Sequence, residues 1–256
     1  RAEEALAKAL ERDPDLAEAH ATRAFLQMFH YWDWKEAESS FQRALELAPN
    51  ASKTHHWYGV FLSIQGKLNE ALVEMQKALD LDPTALVIMT DIGELYYFKH
   101  DYKRADAELH KVLEIDPNFL NARLNLVRVR YKNGASYFLE DAAMNVFLLN
   151  LRKTEALSSD RPVELSSALE RNDEETLKAI IIKSAEAATK GNPSAHLALA
   201  RYYLVLDERE KALDSLEKAL EAKVFVMPFV NVDPIFDSLR SEPRFKEIIR
   251  KMNLAL

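Results

Sequence analysis

Residues 52–85 read SKTHHWYGVFLSIQGKLNEALVEMQKALDLDPTA, and residues 86–117 read LVIMTDIGELYYFKHDYKRADAELHKVLEIDP. The two segments carry the same kinds of residue in register, and each shared position recurs after 34 residues. The shared positions are Gly59 and Gly93, Ala71 and Ala105, and Pro83 and Pro117. Proline stops a helix, and small residues let two helices approach closely. The pattern therefore predicts a helix–turn–helix unit that occurs twice.

The composition of the chain favours helices and excludes several kinds of chemistry. The 256 residues include only five glycines and no cysteine. Without cysteine there are no disulfides, no thiolate zinc sites and no cysteine nucleophiles, which fits a reducing, cytoplasmic location. The net charge of −7, from 34 basic and 41 acidic residues, disfavours a nucleic acid partner. No apolar run is long enough for a membrane helix, so we expect a soluble chain.

Other stretches align with the same unit. Residues 1–14 match its second half, ending in Asp13-Pro14, and residues 17–49 form a copy with Ala24, Ala37 and Ala44. The interval from Pro14 to Pro49 is one residue longer than the period, and we place the extra residue in the turn at residues 30–34. Residues 193–222 restore the pattern with Ala200, Ala212 and Ala219.

The period and these residue types resemble the tetratricopeptide repeat, a pair of antiparallel helices per unit. The resemblance implies an all-α fold, a right-handed superhelical solenoid of helix hairpins with a C-terminal cap. We expect a regular array over residues 1–134 that starts in mid-repeat, and degenerate hairpins over 135–192. A further unit over 193–223 and a cap over 224–256 complete the predicted organisation. The broken first unit predicts that residues upstream have been removed, and it makes a second copy of the chain, paired through the first helix, a candidate partner.

The irregular segments are assigned by local signals. Residues 137–157 predict a long helix, residues 158–162 a break, and residues 163–190 a degenerate hairpin that stops at Gly191. Asp233-Pro234 predicts the start of a short helix, and Phe245, Ile248, Ile249 and Met252 predict an apolar helix face. We expect this tail to cover the apolar side of the last repeat.

No catalytic, cofactor or metal site is predicted. Each of the five glycines is explained by a turn or by close packing, so no phosphate-binding loop remains. His55 and His56 are adjacent on a helix and point in different directions, so they cannot bind one metal ion together. His20 and His55 occupy equivalent positions of successive repeats, and we expect them to pack within the hairpins and not to form a zinc site. We expect Trp32 and Trp34 to cover the seam between repeats, with a role in partner binding as the alternative.

The resemblance implies that the first helix of each unit lines a concave groove. Carried over residue by residue, the inward positions predict a groove that binds a peptide or a partner domain. These positions are Phe25, Met28, Phe29, Lys53, His56, Val60, Thr90, Glu94, Tyr97, Phe98, Asn121, Leu124, Arg128 and Tyr131. The Lys and Asn residues with which some family members grip a C-terminal carboxylate are missing from the fifth and ninth positions of these helices.

Three further motifs resemble the C-terminal regions of multidomain bacterial regulators. They are Tyr31-Trp32-Asp33-Trp34, His55-His56-Trp57-Tyr58, and the tail with Asp233-Pro234, Leu239-Arg240 and Pro243-Arg244-Phe245. In such proteins the array follows a winged-helix, Ser/Thr kinase or nucleotide cyclase domain. The resemblance implies a non-catalytic interaction module in a regulatory arm. The alternative is a ligand-responsive sensor that controls the attached domain.

Overall fold

The computed structural model describes residues 2–134, 167, 168, 170, 171 and 173–255, and these residues form α-helices, short 3₁₀ and π segments and turns without a β-strand. The chain is an all-α solenoid of helix hairpins. Two compact units are distinguished. Unit 1 contains Arg1–Glu108, Pro228–Asp233 and Ile249–Leu256, and unit 2 contains Leu109–Met227 and Pro234–Ile248.

The described helices follow one another with short turns between them. They are α1 (Ala2–Arg12), α2 (Ala17–Leu26), α3 (Trp34–Leu47), α4 (Ser52–Ile64), α5 (Leu68–Leu81), α6 (Leu86–Phe98), α7 (Tyr102–Ile115), α8 (Leu120–Lys132), α9 (Glu174–Thr189), α10 (Ala195–Val205), α11 (Arg209–Glu221) and α12 (Pro243–Lys251). Two 3₁₀ segments, Met227–Asn231 and Pro234–Leu239, precede α12. The predicted helix start at Asp233-Pro234 is confirmed, and α9 lies within the predicted hairpin at residues 163–190.

The turns inside the hairpins share one backbone feature. Trp32, Gly66, His100 and Gly134 follow one another at intervals of 34 residues, and all four have positive φ, between 54° and 75°. A left-handed residue at this point ends the first helix and reverses the chain into the second. The predicted period is therefore confirmed at the level of the backbone.

The extra residue of the second unit lies in the first helix and not in the turn. There the helix widens into a π-helical turn, Gln27–Tyr31. The amide of Asp33 donates to the carbonyl of Gln27, six residues back, whereas the equivalent amide of Lys67 donates to Leu62, five residues back. A single π turn absorbs one inserted residue without breaking the helix. The sequence-based placement of this residue was wrong by a few positions because a helix tolerates the insertion as well as the turn does.

Small residues bring the helices of each hairpin together as predicted. Ala37, Ala71 and Ala105 are fully buried. A Cβ atom on Gly59 of α4 would lie 2.7 Å from Cγ of Met75 and 3.2 Å from the carbonyl oxygen of Ala71. Since these atoms belong to the facing helix α5, residue 59 has to be a glycine for α4 and α5 to pack at this distance.

In unit 2, the side chain of Arg244 connects α12 to α11. Arg244, at the start of α12, donates to Glu217 at 2.8 and 2.9 Å, to Asp214 at 2.7 Å and to Glu210 at 2.8 Å, all on α11. The hydrogen bonds to Glu217 and Asp214 raise the pKa of Arg244 further above its already high ordinary value. Residues 234–248 belong to unit 2, where Arg244 binds α11, while residues 228–233 and 249–256 belong to unit 1. The predicted helix at 137–157 and the break at 158–162 lie outside the described residues.

Candidate functional site

The predicted groove residues are distributed over both units. Unit 1 contains Phe25, Met28, Phe29, Lys53, His56, Val60, Thr90, Glu94, Tyr97 and Phe98, and unit 2 contains Asn121, Leu124, Arg128 and Tyr131. In unit 1, Met28, Phe29, Thr90, Tyr97 and Phe98 are buried, Lys53 is exposed, and the others are half-buried. Met28 and Phe29 of the π-helical turn and Tyr97 and Phe98 at the C-terminal end of α6 are therefore covered, as is Thr90, while Phe25, Lys53, His56, Val60 and Glu94 keep some solvent exposure.

An aromatic and cationic cluster joins α2 and α4 on the accessible part. The rings of Phe25 and Trp57 lie 4.5 Å apart between centroids, and Phe25 also meets Phe29 at 4.9 Å, edge to face. The ammonium of Lys53 lies 4.4 Å from the centre of the Trp57 ring and 3.7 Å from a carboxylate oxygen of Glu18. Half-exposed aromatic rings beside a cation form a surface that favours an apolar side chain next to an acidic group. We call Phe25, Lys53 and Trp57 the aromatic–cation cluster.

A second polar pair crosses from α4 to α6. Nε2 of His56 lies 2.7 Å from Oδ2 of Asp91, and the two side chains are 14% and 24% exposed. This pair ties adjacent repeats together and fixes the position of the imidazole. Thr90 beside it bonds the carbonyl of Leu86 in its own helix at 2.7 Å and is buried. Thr90 is thus a structural residue of α6.

The covered part of unit 1 is occupied by a segment of the same chain, residues 228–233, which we call the inserted segment. The Phe229 ring lies 6.5 Å from the ring of Phe29 and 6.0 Å from that of Phe98. Side-chain nitrogen Nδ2 of Asn231 donates to the carbonyl of Ile64 at 3.0 Å. The hydroxyl of Tyr97 donates to Oδ1 of Asp233, a fully buried carboxylate, at 2.8 Å. The inserted segment therefore contacts all three hairpins of unit 1.

The last residues of the chain add two contacts near the first turn. Nε1 of Trp34 donates to the carbonyl of Met252 at 2.8 Å, and the side-chain amide of Asn253 donates to the carbonyl of Trp32 at 3.3 Å. Trp34 also packs on Phe61 of the next hairpin, at 6.4 Å between centroids. Trp34 thus covers the seam between repeats and also binds the tail.

In unit 2 the four predicted groove residues lie on α8. Asn121 is exposed, and Leu124, Arg128 and Tyr131 are half-buried. Arg128 donates to the side chain of Asn125 one turn earlier. Burial, and after it the charge of Asp207, raises the pKa of Tyr131. Tyr131 therefore stays a neutral phenol at physiological pH.

The histidines that the sequence analysis weighed as metal ligands have local partners. Nε2 of His20 and Nε2 of His55 each lie 2.8 Å from a proline carbonyl six residues earlier, Pro14 and Pro49. Nδ1 of His55 lies 2.6 Å from Oε2 of Glu74. The two histidines connect each hairpin to the proline that precedes it. Within the described ranges, no group of three or more His, Asp or Glu side chains is arranged to hold a metal ion.

Sequence reasoning missed the inserted segment and the residues that anchor it. Phe229, Asn231 and Asp233 fall where the helical period has ended, so they matched no position of the repeat. The available signal was the apolar run 225–230, which needs a surface to cover it. Trp57 was noted in the sequence as part of the motif His55-His56-Trp57-Tyr58 but was left out of the predicted groove, and Asp91 was missed. Both flank the positions that the family assigns to the groove.

Comparison with protein families identifies the kind of repeat. The chain is a helical-repeat protein, and residues 40–73 and 62–118 each match a family model described as tetratricopeptide repeat. The chain therefore contains tetratricopeptide repeats, and its fold is a tetratricopeptide-type scaffold. No curated protein sequence matches it significantly.

Several solved structures share the fold. A tetratricopeptide repeat protein from Parabacteroides merdae is 16% identical with a TM-score of 0.56, and the match covers 98% of this chain and 91% of that one. PilW, a type IV pilus biogenesis factor, is 18% identical with a TM-score of 0.51, covering 95% and 87%. The APC/C hetero-tetramer Cut9-Hcn1 matches with a TM-score of 0.60 and 14% identity, covering 98% of this chain and 45% of that one. At these identities the likeness shows the fold and does not transfer a function.

Among the described helices, none combines the length and the apolar character that crossing a bilayer requires.

Proposed function

We propose that this chain is a non-catalytic scaffold that binds a peptide segment of a partner protein along the first helices of unit 1. The observation that carries the proposal is the aromatic–cation cluster of Phe25, Lys53 and Trp57, which is half-exposed to exposed. Phe25 and Lys53 are predicted groove positions, and Trp57 flanks them. Large aromatic rings at a surface supply much apolar area for a partner at a low cost in side-chain entropy.

The chemistry of the cluster favours a particular kind of ligand. Lys53 pairs with Glu18 at 3.7 Å, and both side chains are largely exposed, which makes the pair weak and easy to exchange. A partner carboxylate would replace Glu18 beside Lys53, while an apolar side chain would pack on Phe25 and Trp57. We therefore propose a ligand that combines an aromatic or aliphatic residue with a nearby acidic residue. We further propose that this binding serves a regulatory or sensory arm of a larger bacterial protein.

A random-peptide display library selected against the 256-residue chain tests the proposal. Selected peptides should lose at least about tenfold in affinity on Trp57→Ala, because truncation of a hot-spot aromatic residue costs about 2 kcal/mol or more. Lys53→Glu should weaken the same peptides and reduce the dependence of their affinity on salt.

Lys103→Glu is the matched control, since Lys103 is an exposed lysine of α7, the second helix of its hairpin. It makes the same change of charge and should leave binding unchanged. Selected peptides that bind the parent and the Trp57→Ala chain equally would contradict the proposed site. If repeated selections yield no specific peptide, the proposed function itself is contradicted.

A further inference from the structure

The inserted segment has an unusual place in the chain. Residues 228–233 belong to unit 1, while Leu109–Met227 before them and Pro234–Ile248 after them belong to unit 2. Six residues thus enter unit 1 from a distant part of the sequence and contact its three hairpins through Phe29, Ile64 and Tyr97. Unit 1 therefore holds this short segment of chain in the way a groove holds a peptide.

Three side chains make these contacts, and they alternate along the segment. Phe229 meets two aromatic rings, Asn231 donates to a backbone carbonyl at the end of α4, and Asp233 accepts from a tyrosine hydroxyl. Val230, between Phe229 and Asn231, is also completely buried. These contacts place an aromatic ring, an amide and, four residues after the ring, a carboxyl group against unit 1.

The polar contacts give the site its selectivity. The carboxylate of Asp233 is completely buried, and a buried carboxylate that lost its hydrogen-bond donors would pay the full cost of leaving water. The rings of Phe29 and Phe98, which both lie near Phe229, similarly favour an aromatic ring over a small side chain. A segment that lacks either group would fill the site poorly.

We propose that this part of unit 1, formed by Phe29, Ile64, Tyr97 and Phe98, is a binding site for partner segments with an aromatic residue followed four positions later by Asp or Glu. The inserted segment is the ligand that occupies it in cis. The inference rests on the proposed function and adds to it a second subsite with its own recognition chemistry. A partner segment has to displace residues 228–233, so the chain's own tail controls access.

Competition by a tethered segment makes the site testable. A tethered ligand acts at an effective concentration of roughly millimolar, so a free peptide binds the parent weakly. Weakening the tethered ligand frees the site and raises the apparent affinity of the free peptide, because the occupied fraction no longer reduces it. A substitution that weakens the inserted segment should therefore raise the affinity of the chain for the free peptide. A substitution that only disturbs the fold would lower this affinity.

The probe is a fluorescent peptide with the sequence of residues 226–235, VMPFVNVDPI, added to the full chain. In anisotropy titrations, Phe229→Ala in the chain should raise the affinity for this peptide at least about tenfold over the parent. Phe225→Ala is the matched control, because Phe225 precedes the inserted segment and is 48% exposed. This control should bind the peptide as weakly as the parent does.

Changes in the peptide and in the site test the chemistry. Peptides with Phe229→Ala or Asp233→Asn should bind the Phe229→Ala chain at least about tenfold more weakly than the original peptide. Adding Tyr97→Phe to that chain should remove the preference for the acid over the amide. Equal binding to the parent and the Phe229→Ala chain, or equal binding of the altered peptides, would overturn the inference.

A second variant and the library peptides complete the test. If circular dichroism shows that Phe229→Ala is unfolded, Asp233→Asn in the chain, which keeps the shape of the side chain, carries the same comparison with an expected gain of at least about threefold. If every peptide selected on the Phe229→Ala chain, where the site is free, depends on Trp57 and none depends on Tyr97, the proposed function is supported and this inference is overturned. Library peptides selected on the Phe229→Ala chain that carry the aromatic and acidic residues at this spacing would support both.

Discussion

The hydroxyl of Tyr97 donates a 2.8 Å hydrogen bond to the buried carboxylate of Asp233, 136 residues further along the chain. Both residues belong to unit 1 and are almost inaccessible to solvent, at 1% and 0% exposure. A buried carboxyl group that lacks a hydrogen-bond partner is costly, so this bond contributes to stability. This bond holds the inserted segment against α6 and links the stability of the repeats to the tail.

Tyr97→Phe should destabilise the chain. The substitution keeps the ring, which packs on Phe98 at 5.9 Å, and removes one donor from a buried carboxylate. We expect a loss of roughly 1–3 kcal/mol in the free energy of unfolding, measured with urea. Tyr96→Phe in the same helix is the control and should change the stability little. A Tyr97→Phe chain as stable as the parent would show that the bond contributes nothing.

Packing inside the hairpins can be tested at Ala71. This side chain is completely buried, and its carbonyl lies beneath Gly59 of the facing helix. Ala71→Leu should destabilise the chain by roughly 1–3 kcal/mol, because overpacking forces α4 and α5 apart. Val73→Leu adds volume to the same helix at a side chain that is 55% exposed, and thermal unfolding should show it close to the parent. Equal melting temperatures for the two variants would contradict the assigned register.

The hairpins were predictable from the sequence because their determinants are close together in the chain. Gly59 meets Ala71 and Met75, and the 34-residue interval fixes the left-handed turn residues in advance. The inserted segment was not predictable, because Phe229 and Asp233 find their partners at Phe29 and Tyr97. An apolar run without helical period shows only that some surface must cover it. Both the last repeat and the surface around Phe29 and Phe98 offer apolar side chains, and only the tertiary structure decides between them.

The turn residues predict opposite effects of two simple substitutions. His100 and Gly66 occupy equivalent turns with φ of 59° and 74°, a conformation that costs a residue with a side chain about 1 kcal/mol relative to glycine. His100→Gly should therefore stabilise the chain by up to about 1 kcal/mol, less the contact between His100 Nδ1 and the Tyr102 hydroxyl. Gly66→Ala should destabilise it by a similar amount, although nothing lies within 4 Å of the added methyl group. Differential scanning calorimetry measures both. A lower melting temperature for His100→Gly would show that its side chain outweighs the strain of its backbone.

Stability at alkaline pH should depend on Tyr203 in unit 2. Its hydroxyl donates to Oε1 of Glu186 at 2.6 Å, and burial together with this bond raises the pKa of Tyr203 to about 12. In the unfolded chain a tyrosine has a pKa near 10, so the contribution of Tyr203 is complete below about pH 10 and is lost as the pH rises towards 12. Tyr203→Phe should be less stable than the parent at neutral pH because Glu186 loses its donor, and the gap should narrow over this alkaline interval. Urea unfolding midpoints between roughly pH 9 and 12 give the comparison. Absorbance at the phenolate band reports the ionisation itself. A gap that stays constant over this interval would contradict the raised pKa, since it would mean that Tyr203 ionises equally in the folded and unfolded chain.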